Sequence, residues 1–66
     1  MTLTQLSYVL AVAKYKNFTI AAEHCFVTQP TLSMQIQKLE DELDTQIFNR
    51  NKKPIQLTEV GVKIVE

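Results

Sequence analysis

Short uncharged side chains that carry hydrogen-bonding groups are concentrated near the middle of this 66-residue chain. At about 100° per residue along a helix, Pro30, Ser33, Met34 and Gln37 project from one side, with Lys38 beside them. Amide and hydroxyl groups donate to and accept from base edges in the major groove of DNA, while apolar atoms contact thymine methyl groups. An ordinary polar surface is equally compatible with this pattern, so the residues alone leave both interpretations open.

Basic residues are concentrated in a second place. Arg50, Lys52 and Lys53 are three of the seven basic residues and lie within four positions of one another. A basic turn neutralises phosphates of a nucleic-acid backbone, although a simple solvated turn is the alternative. The formal net charge of the chain is zero, whereas a nucleic-acid-binding domain is usually basic. DNA binding by this chain therefore depends on where its charges lie.

The acidic residues are grouped as well. Glu40, Asp41, Glu42 and Asp44 lie at the far end of the helix that carries the polar side chains. We expect this group to be a solvated helix end that points away from DNA, and a contact with RNA polymerase or with an effector domain is the alternative. The chain is thus neutral in sum but polarised in its distribution of charge.

No enzymatic site is indicated. Cys25 is the only cysteine, which excludes an intramolecular disulfide and a cysteine-based zinc site and fits a reducing, cytoplasmic setting. We expect Cys25 to be a packing residue and the adjacent His24 to lie on the surface, because neighbouring helical side chains point about 100° apart. The sequence has no nucleophile–base pair, no glycine-rich phosphate loop and no cluster of metal ligands. We expect neither catalysis nor a cofactor.

No membrane or export segment is indicated either. The longest fully apolar run covers residues 9–13, far short of the roughly 20 residues that a membrane span needs. Residues 1–5 lack the basic region and the following apolar core of a signal peptide.

Two helices are predicted in the first part of the chain. Thr2 and Gln5 have the spacing of a capping box. The first helix is then expected to bury one apolar stripe, formed by Leu3, Leu6, Val9, Leu10 and Ala13. A second, shorter helix is expected to begin with Thr19 as its N-cap. It is expected to carry Ile20, Ala21 and Ala22, and the predicted packing residues are the two alanines together with Cys25 and Val27.

The third helix has the clearest pattern. Thr28 is suited to cap it, and Pro30 falls in the first turn, where a missing N–H does little harm. Apolar residues recur at i, i+4, i+7 and i+11 and therefore share one face: Leu32, Ile36, Leu39 and Leu43. The polar side chains lie on the opposite face.

After the third helix, the spacing of apolar residues changes from one typical of helices to one typical of strands. Residues 47–50 and 55–57 each suit a short strand, and residues 51–54 form a basic turn between them. Thr58 and Glu59 open a last helix with an apolar side of Val60, Ile64 and Val65, which we expect to be incomplete at residue 66. The predicted fold is mainly α, a winged helix-turn-helix with a three-helix core, a small β-hairpin wing and the start of a linker helix. Residues 1–58 form the expected DNA-binding domain, and residues 59–66 begin the linker.

The sequence resembles the N-terminal domain of LysR-type transcriptional regulators along essentially its whole length. The resemblance is carried by Phe18-Thr19-Ile20-Ala21-Ala22, by residues 27–36 and 38–43, by Ile47-Phe48-Asn49-Arg50 and by Leu57-Thr58-Glu59-Val60-Gly61. Together these motifs are highly specific, although any one alone would be only suggestive. Within the family, His24-Cys25 and the segments 29–33 and 38–43 are most similar to the peroxide-responsive regulators.

This resemblance implies a longer protein with a dimerisation helix and a C-terminal effector domain. Such regulators bind pseudo-palindromic promoter sites on double-stranded DNA as dimers or tetramers. By position, the groove-facing residues would be Gln29, Pro30, Thr31, Ser33 and Met34, with Gln37 on the same face. Thr28 and Lys38 would contact phosphates, and the wing would be served by Arg50, Lys52 and Lys53.

Four residues depart from the family pattern. Met34 and Lys53 stand where arginine is common. Met34 cannot hydrogen-bond guanine, so base readout at position 34 should be weaker or apolar, and Lys53 keeps the charge of arginine but lacks its planar fork. Asp44 replaces a frequent glycine and Val60 a frequent alanine.

The zero net charge leaves one alternative function, a protein-interaction module that keeps the winged-helix scaffold without binding DNA.

Overall fold

The first helix, α1, spans Leu3–Tyr15 and begins with the predicted capping box. The structure, a computed structural model, describes residues 1–66. The Thr2 hydroxyl accepts a hydrogen bond from the Gln5 amide at 3.0 Å, and the Gln5 side chain accepts one from the Thr2 amide at 3.1 Å. Two donors that a helix start leaves unpaired are thereby satisfied.

The buried face of α1 differs from the predicted stripe. Val9 and Val12 are fully buried and Gln5 nearly so, whereas Leu3 and Leu10 are 84% and 44% exposed. The prediction for these two leucines is wrong. Apolar residues surround α1 on several sides, so packing against the other helices, rather than periodicity, selects the face that is buried.

The second helix, α2, spans Phe18–His24. Its N-cap is Asn17, whose side-chain oxygen accepts a hydrogen bond from the Ile20 amide at 2.9 Å. The predicted cap, Thr19, is instead inside the first turn, which corrects that assignment. Ala21 and Ala22 are buried as expected, and small side chains let the neighbouring helices approach closely.

The third helix, α3, spans Gln29–Leu43, and Thr28 is its N-cap with Pro30 in the first turn. Leu32, Ile36 and Leu39 are fully buried and form the centre of the core, as predicted. The fourth member of that series, Leu43, is 38% exposed because it falls beyond the part of α3 that the core covers.

A small hairpin and a final helix complete the fold. Strands β1 (Phe48–Asn49) and β2 (Gln56–Leu57) are antiparallel, with Phe48 opposite Leu57 and Asn49 opposite Gln56. Helix α4 spans Glu59–Val65 and therefore begins where the sequence predicts, with Thr58 as its N-cap. The Thr58 hydroxyl also donates to the carbonyl oxygens of Gln46 and Ile47, which ties the start of α4 to the entry of the hairpin.

The predicted apolar side of α4 is confirmed only in part. Ile64 and Val65 are half-buried against the core, whereas Val60 is exposed. Gly61 is the buried contact of this helix, because a Cβ atom there would overlap the carbonyl oxygen of Ile47. None of the helices is both long and apolar enough to cross a membrane.

Candidate nucleic-acid interface

The outward face of α3 is uncharged over its first two turns. Pro30, Met34 and Gln37 are exposed and Ser33 is half-buried, with Lys38 exposed beside them. These residues lie opposite the three fully buried apolar residues of the same helix. The structure therefore places the predicted base-reading side chains together on one accessible surface.

Hydrogen bonds order the side chains at the start of that surface. The Gln29 amide group donates to the Ser33 hydroxyl at 2.7 Å, one turn further along. The Thr28 hydroxyl donates to the Thr31 hydroxyl at 2.9 Å while it also accepts from the Thr31 amide at 3.4 Å. The groups are therefore already positioned before a ligand is present, which reduces the entropy that binding must remove.

The position of α3 itself is held by a polar contact that the sequence prediction missed. Gln5 is buried on α1 and donates to the side-chain oxygen of Gln35 on α3 at 3.4 Å. Its spacing from Thr2 identified Gln5 only as part of a capping box. The second role depends on a partner 30 positions away, which local spacing does not reveal.

The turn between β1 and β2 presents two free cations. Lys52 and Lys53 are exposed, and neither takes part in the two salt bridges of the chain, which join Met1 to Glu42 and Arg50 to Glu40. Both lysines keep all the donors of their ammonium groups for an outside partner. This agrees with the predicted basic tip of the wing.

Arg50 is placed differently from the two lysines. Its guanidinium donates to Glu40 Oε1 at 3.1 Å and lies over the ring of Phe18, 5.1 Å from the centroid. Phe18 in turn packs edge-on against Phe48, with ring centroids 5.9 Å apart. Arg50 therefore joins α2, α3 and the hairpin, although about half of its side chain remains accessible.

Glu40 corrects the interpretation of the acidic group as a solvated helix end. Its residue is only 7% exposed, and its Oε2 atom accepts hydrogen bonds from the amides of Ile47 at 2.8 Å and Phe48 at 3.4 Å. The carboxylate thus satisfies two buried donors at the entry of the hairpin. Asp41 and Asp44 are exposed, as predicted for the group.

The cysteine and the histidine lie where the sequence predicts. Cys25 is half-buried against the core. His24 is exposed and stacks on Tyr15, with the ring centroids 4.2 Å apart and the planes 8° from parallel. No group of three or more histidine, cysteine, aspartate or glutamate side chains is arranged to hold a metal ion.

With this geometry, the chain can be compared with known proteins. Residues 3–62 match the family model described as bacterial regulatory helix-turn-helix protein, lysR family. The chain belongs to the lysR family. This confirms the resemblance drawn from the motifs, and the winged helix-turn-helix fold with it.

Individual members of the lysR family are similar over the whole chain. A hydrogen peroxide-inducible genes activator of Pectobacterium carotovorum is 42% identical over 66 residues, which is all of this chain and 22% of that protein. Full-length OxyR from Pseudomonas aeruginosa is 52% identical, with a TM-score of 0.92 over 98% of this chain and 22% of its own.

A third relative was solved with a ligand. Vibrio fischeri DarR in complex with DNA is 40% identical, with a TM-score of 0.95 over 98% of this chain and 22% of that one. The chain thus spans about a fifth of the length of these relatives. The relatives are transcriptional regulators and not enzymes.

Proposed function

We propose that this chain is the sequence-specific DNA-binding headpiece of a longer LysR-type regulator, with α3 in the major groove and residues 50–53 on the backbone or in the minor groove. The observation that carries the proposal is the accessible, uncharged face of α3 opposite the fully buried Leu32, Ile36 and Leu39. Hydrogen-bonding and apolar groups on a rigid helix are what base-edge readout requires. The similarity to DarR, solved on DNA, supports the same orientation.

The residues divide into two roles within this proposal. Base edges are read by Gln29, Pro30, Thr31, Ser33, Met34 and Gln37. Backbone phosphates are held by Thr28, Lys38, Lys52 and Lys53. Arg50 adds charge near the wing, but its bond to Glu40 makes it chiefly a structural residue. Base contacts give specificity, while phosphate contacts give register and salt-dependent affinity.

The proposal extends to the whole regulator. Residues 1–58 form the DNA-binding domain, and α4 begins a linker helix through which full-length subunits form a dimer or tetramer on pseudo-palindromic promoter sites in the cytoplasm. RNA polymerase is then the further partner at the promoter. The similarity to the hydrogen peroxide-inducible activator of Pectobacterium carotovorum supports a role in the response to oxidative stress.

Selection of duplexes from a random library, followed by titration at several salt concentrations, tests the central claim. We expect an enriched sequence motif and an affinity that falls steeply with salt, with a slope set by the number of phosphates neutralised. A protein-interaction module without DNA binding would enrich no motif and would bind no duplex even at low salt.

A further inference from the structure

An open cleft of about 440 Å³ lies between the end of α1, the start of α2 and the hairpin turn. Lys16 and Thr19 line one side, and Lys53 and Pro54 line the other. No acidic side chain lines it. The cleft is therefore a place where positive charge from two separate elements converges without an internal counter-ion.

The charged groups of this cleft are available to an outside ligand. Lys16 and Lys53 are exposed, and the salt bridges of the chain involve neither of them. Thr19 is exposed as well, and its hydroxyl is not used as a helix cap, because Asn17 caps α2. Two ammonium groups and a hydroxyl are suited to the oxygens of a phosphate group.

The backbone fixes one wall of the cleft. Lys16 is the C-cap of α1 in the left-handed region, with φ of 53°, and its amide donates to the Val12 carbonyl oxygen at 2.7 Å. It directly precedes Asn17, the N-cap of α2. The junction between the two helices is thus held from both sides, so the Lys16 side chain leaves from a defined point.

Lys14 provides a contrast two positions earlier. Its ammonium group lies over the Tyr15 ring, 5.3 Å from the centroid, and it does not line the cleft. The two lysines carry the same charge at nearly the same place in the sequence. Of the two, only Lys16 lines the cleft that Lys53 also lines.

We infer that this cleft binds one backbone phosphate of duplex DNA, held between Lys16 and Thr19 on the helical side and Lys53 on the wing. The inference rests on the proposed function and adds the helical side of the contact to it. The cleft is open, and Lys53, which lines it, directly follows Lys52 in the hairpin turn, so a polymer running along the turn reaches it. Because the wing and α2 hold the same phosphate, that contact fixes the orientation of the hairpin on DNA.

Charge-removal variants test the inference by the salt dependence of DNA binding. We expect Lys16→Gln to weaken binding by about tenfold, equally on a selected site and on random duplex. We also expect the slope of log affinity against log salt to fall by about one. Lys16→Arg should restore both values, and the matched control Lys14→Gln should leave both unchanged. Equal slopes for Lys16→Gln and Lys14→Gln would overturn the inference.

Single methylphosphonate substitutions in the duplex identify the phosphate itself. We expect one backbone position in each half-site at which removing the phosphate charge weakens binding by the unchanged chain but not by Lys16→Gln, because the two changes remove the same contact. If every methylphosphonate substitution weakened DNA binding by Lys16→Gln as much as it weakens binding by the unchanged chain, the inference would be overturned.

Different results would overturn the proposed function and the assignment of the cleft. Absence of duplex binding by the unchanged chain at low salt would overturn the proposed function and this inference together. Sequence-specific binding in which Lys16→Gln behaves as Lys14→Gln does would overturn only the assignment of the cleft.

Discussion

The side-chain amide of Gln29 donates a 2.7 Å hydrogen bond to the hydroxyl of Ser33. Both residues are half-buried in the first turns of α3. Each keeps further hydrogen-bonding capacity, since an amide has a second N–H and a carbonyl oxygen and a hydroxyl can still donate. The pair therefore presents one ordered set of donors and acceptors, in which the orientation of one side chain depends on the other.

The first prediction concerns this pair. Gln29→Ala should reduce the discrimination between a selected site and random duplex by about 1–3 kcal/mol, because a base contact is lost while phosphate contacts remain. Ser33→Ala should do the same, and the double variant should lose less than the sum because each single change already disturbs the shared bond. Competition titrations with both duplexes measure this. Equal losses on both duplexes would contradict the assignment of base reading to Gln29.

The second prediction concerns the buried carboxylate of α3. Glu40→Ala should lower the free energy of unfolding by about 2–4 kcal/mol, since the amides of Ile47 and Phe48 would lose their acceptor. Urea denaturation measures the loss. Asp41→Ala is the matched control, because this neighbouring carboxylate is exposed and its removal should change stability by less than about 0.5 kcal/mol. Similar losses in the two variants would mean that Glu40 is not the acceptor described.

The third prediction separates two basic residues of the hairpin. Lys52→Gln should weaken binding to all duplexes alike and reduce the salt slope by about one, with stability unchanged. Arg50→Gln should instead cost about 1 kcal/mol of stability, because its guanidinium is bound to Glu40 and to the Phe18 ring in a partly exposed position. Urea denaturation measures the stability of both variants, and DNA titration measures their salt slopes. A larger slope change for Arg50→Gln than for Lys52→Gln would reverse the two roles.

Local signals in the sequence were sufficient for most of the fold. The two caps Thr2 and Thr28 were predicted because each depends on a hydroxyl and an amide only three residues apart. The buried face of α3 was predicted because its apolar residues have a single helical period, with polar residues between them. The family motifs then predicted which residues of the opposite side face the groove of DNA.

The features that were missed depend on distant partners. On α1, several faces are apolar, so the choice of Val9 over Leu10 is made by the helices that pack there. Glu40 looked like one member of an acidic run, because its partners are amides seven and eight positions away that become buried only in the folded chain. Lys16 and Lys53 are 37 positions apart, and only the fold brings them to one cleft.

The fourth prediction concerns Gly61, where helix propensity and steric overlap have opposite effects on stability. Helix propensity alone would make Gly61→Ala stabilising by about 1 kcal/mol in α4. The added methyl group would overlap the carbonyl oxygen of Ile47, which is backbone and cannot rotate away. We therefore expect a net loss of about 1–3 kcal/mol in the free energy of unfolding. Val62→Ala, at an exposed site on the same helix, is the control and should cost much less. A stabilised Gly61→Ala variant would show that α4 does not pack this closely on the hairpin.

The fifth prediction concerns Phe26, in the turn between α2 and α3. Its backbone is in the left-handed region, with φ of 59°, and its side chain is 94% exposed. A bulky residue in that region is strained by about 1–2 kcal/mol, and this side chain recovers little of it through burial. Phe26→Gly should therefore raise the free energy of unfolding by about 0.5–1 kcal/mol, after the greater freedom of glycine in the unfolded chain is subtracted. Phe26→Leu keeps the Cβ atom and should gain nothing in the same urea titration. If Phe26→Gly is instead the less stable variant, the aromatic ring must make a stabilising contact that outweighs the backbone strain.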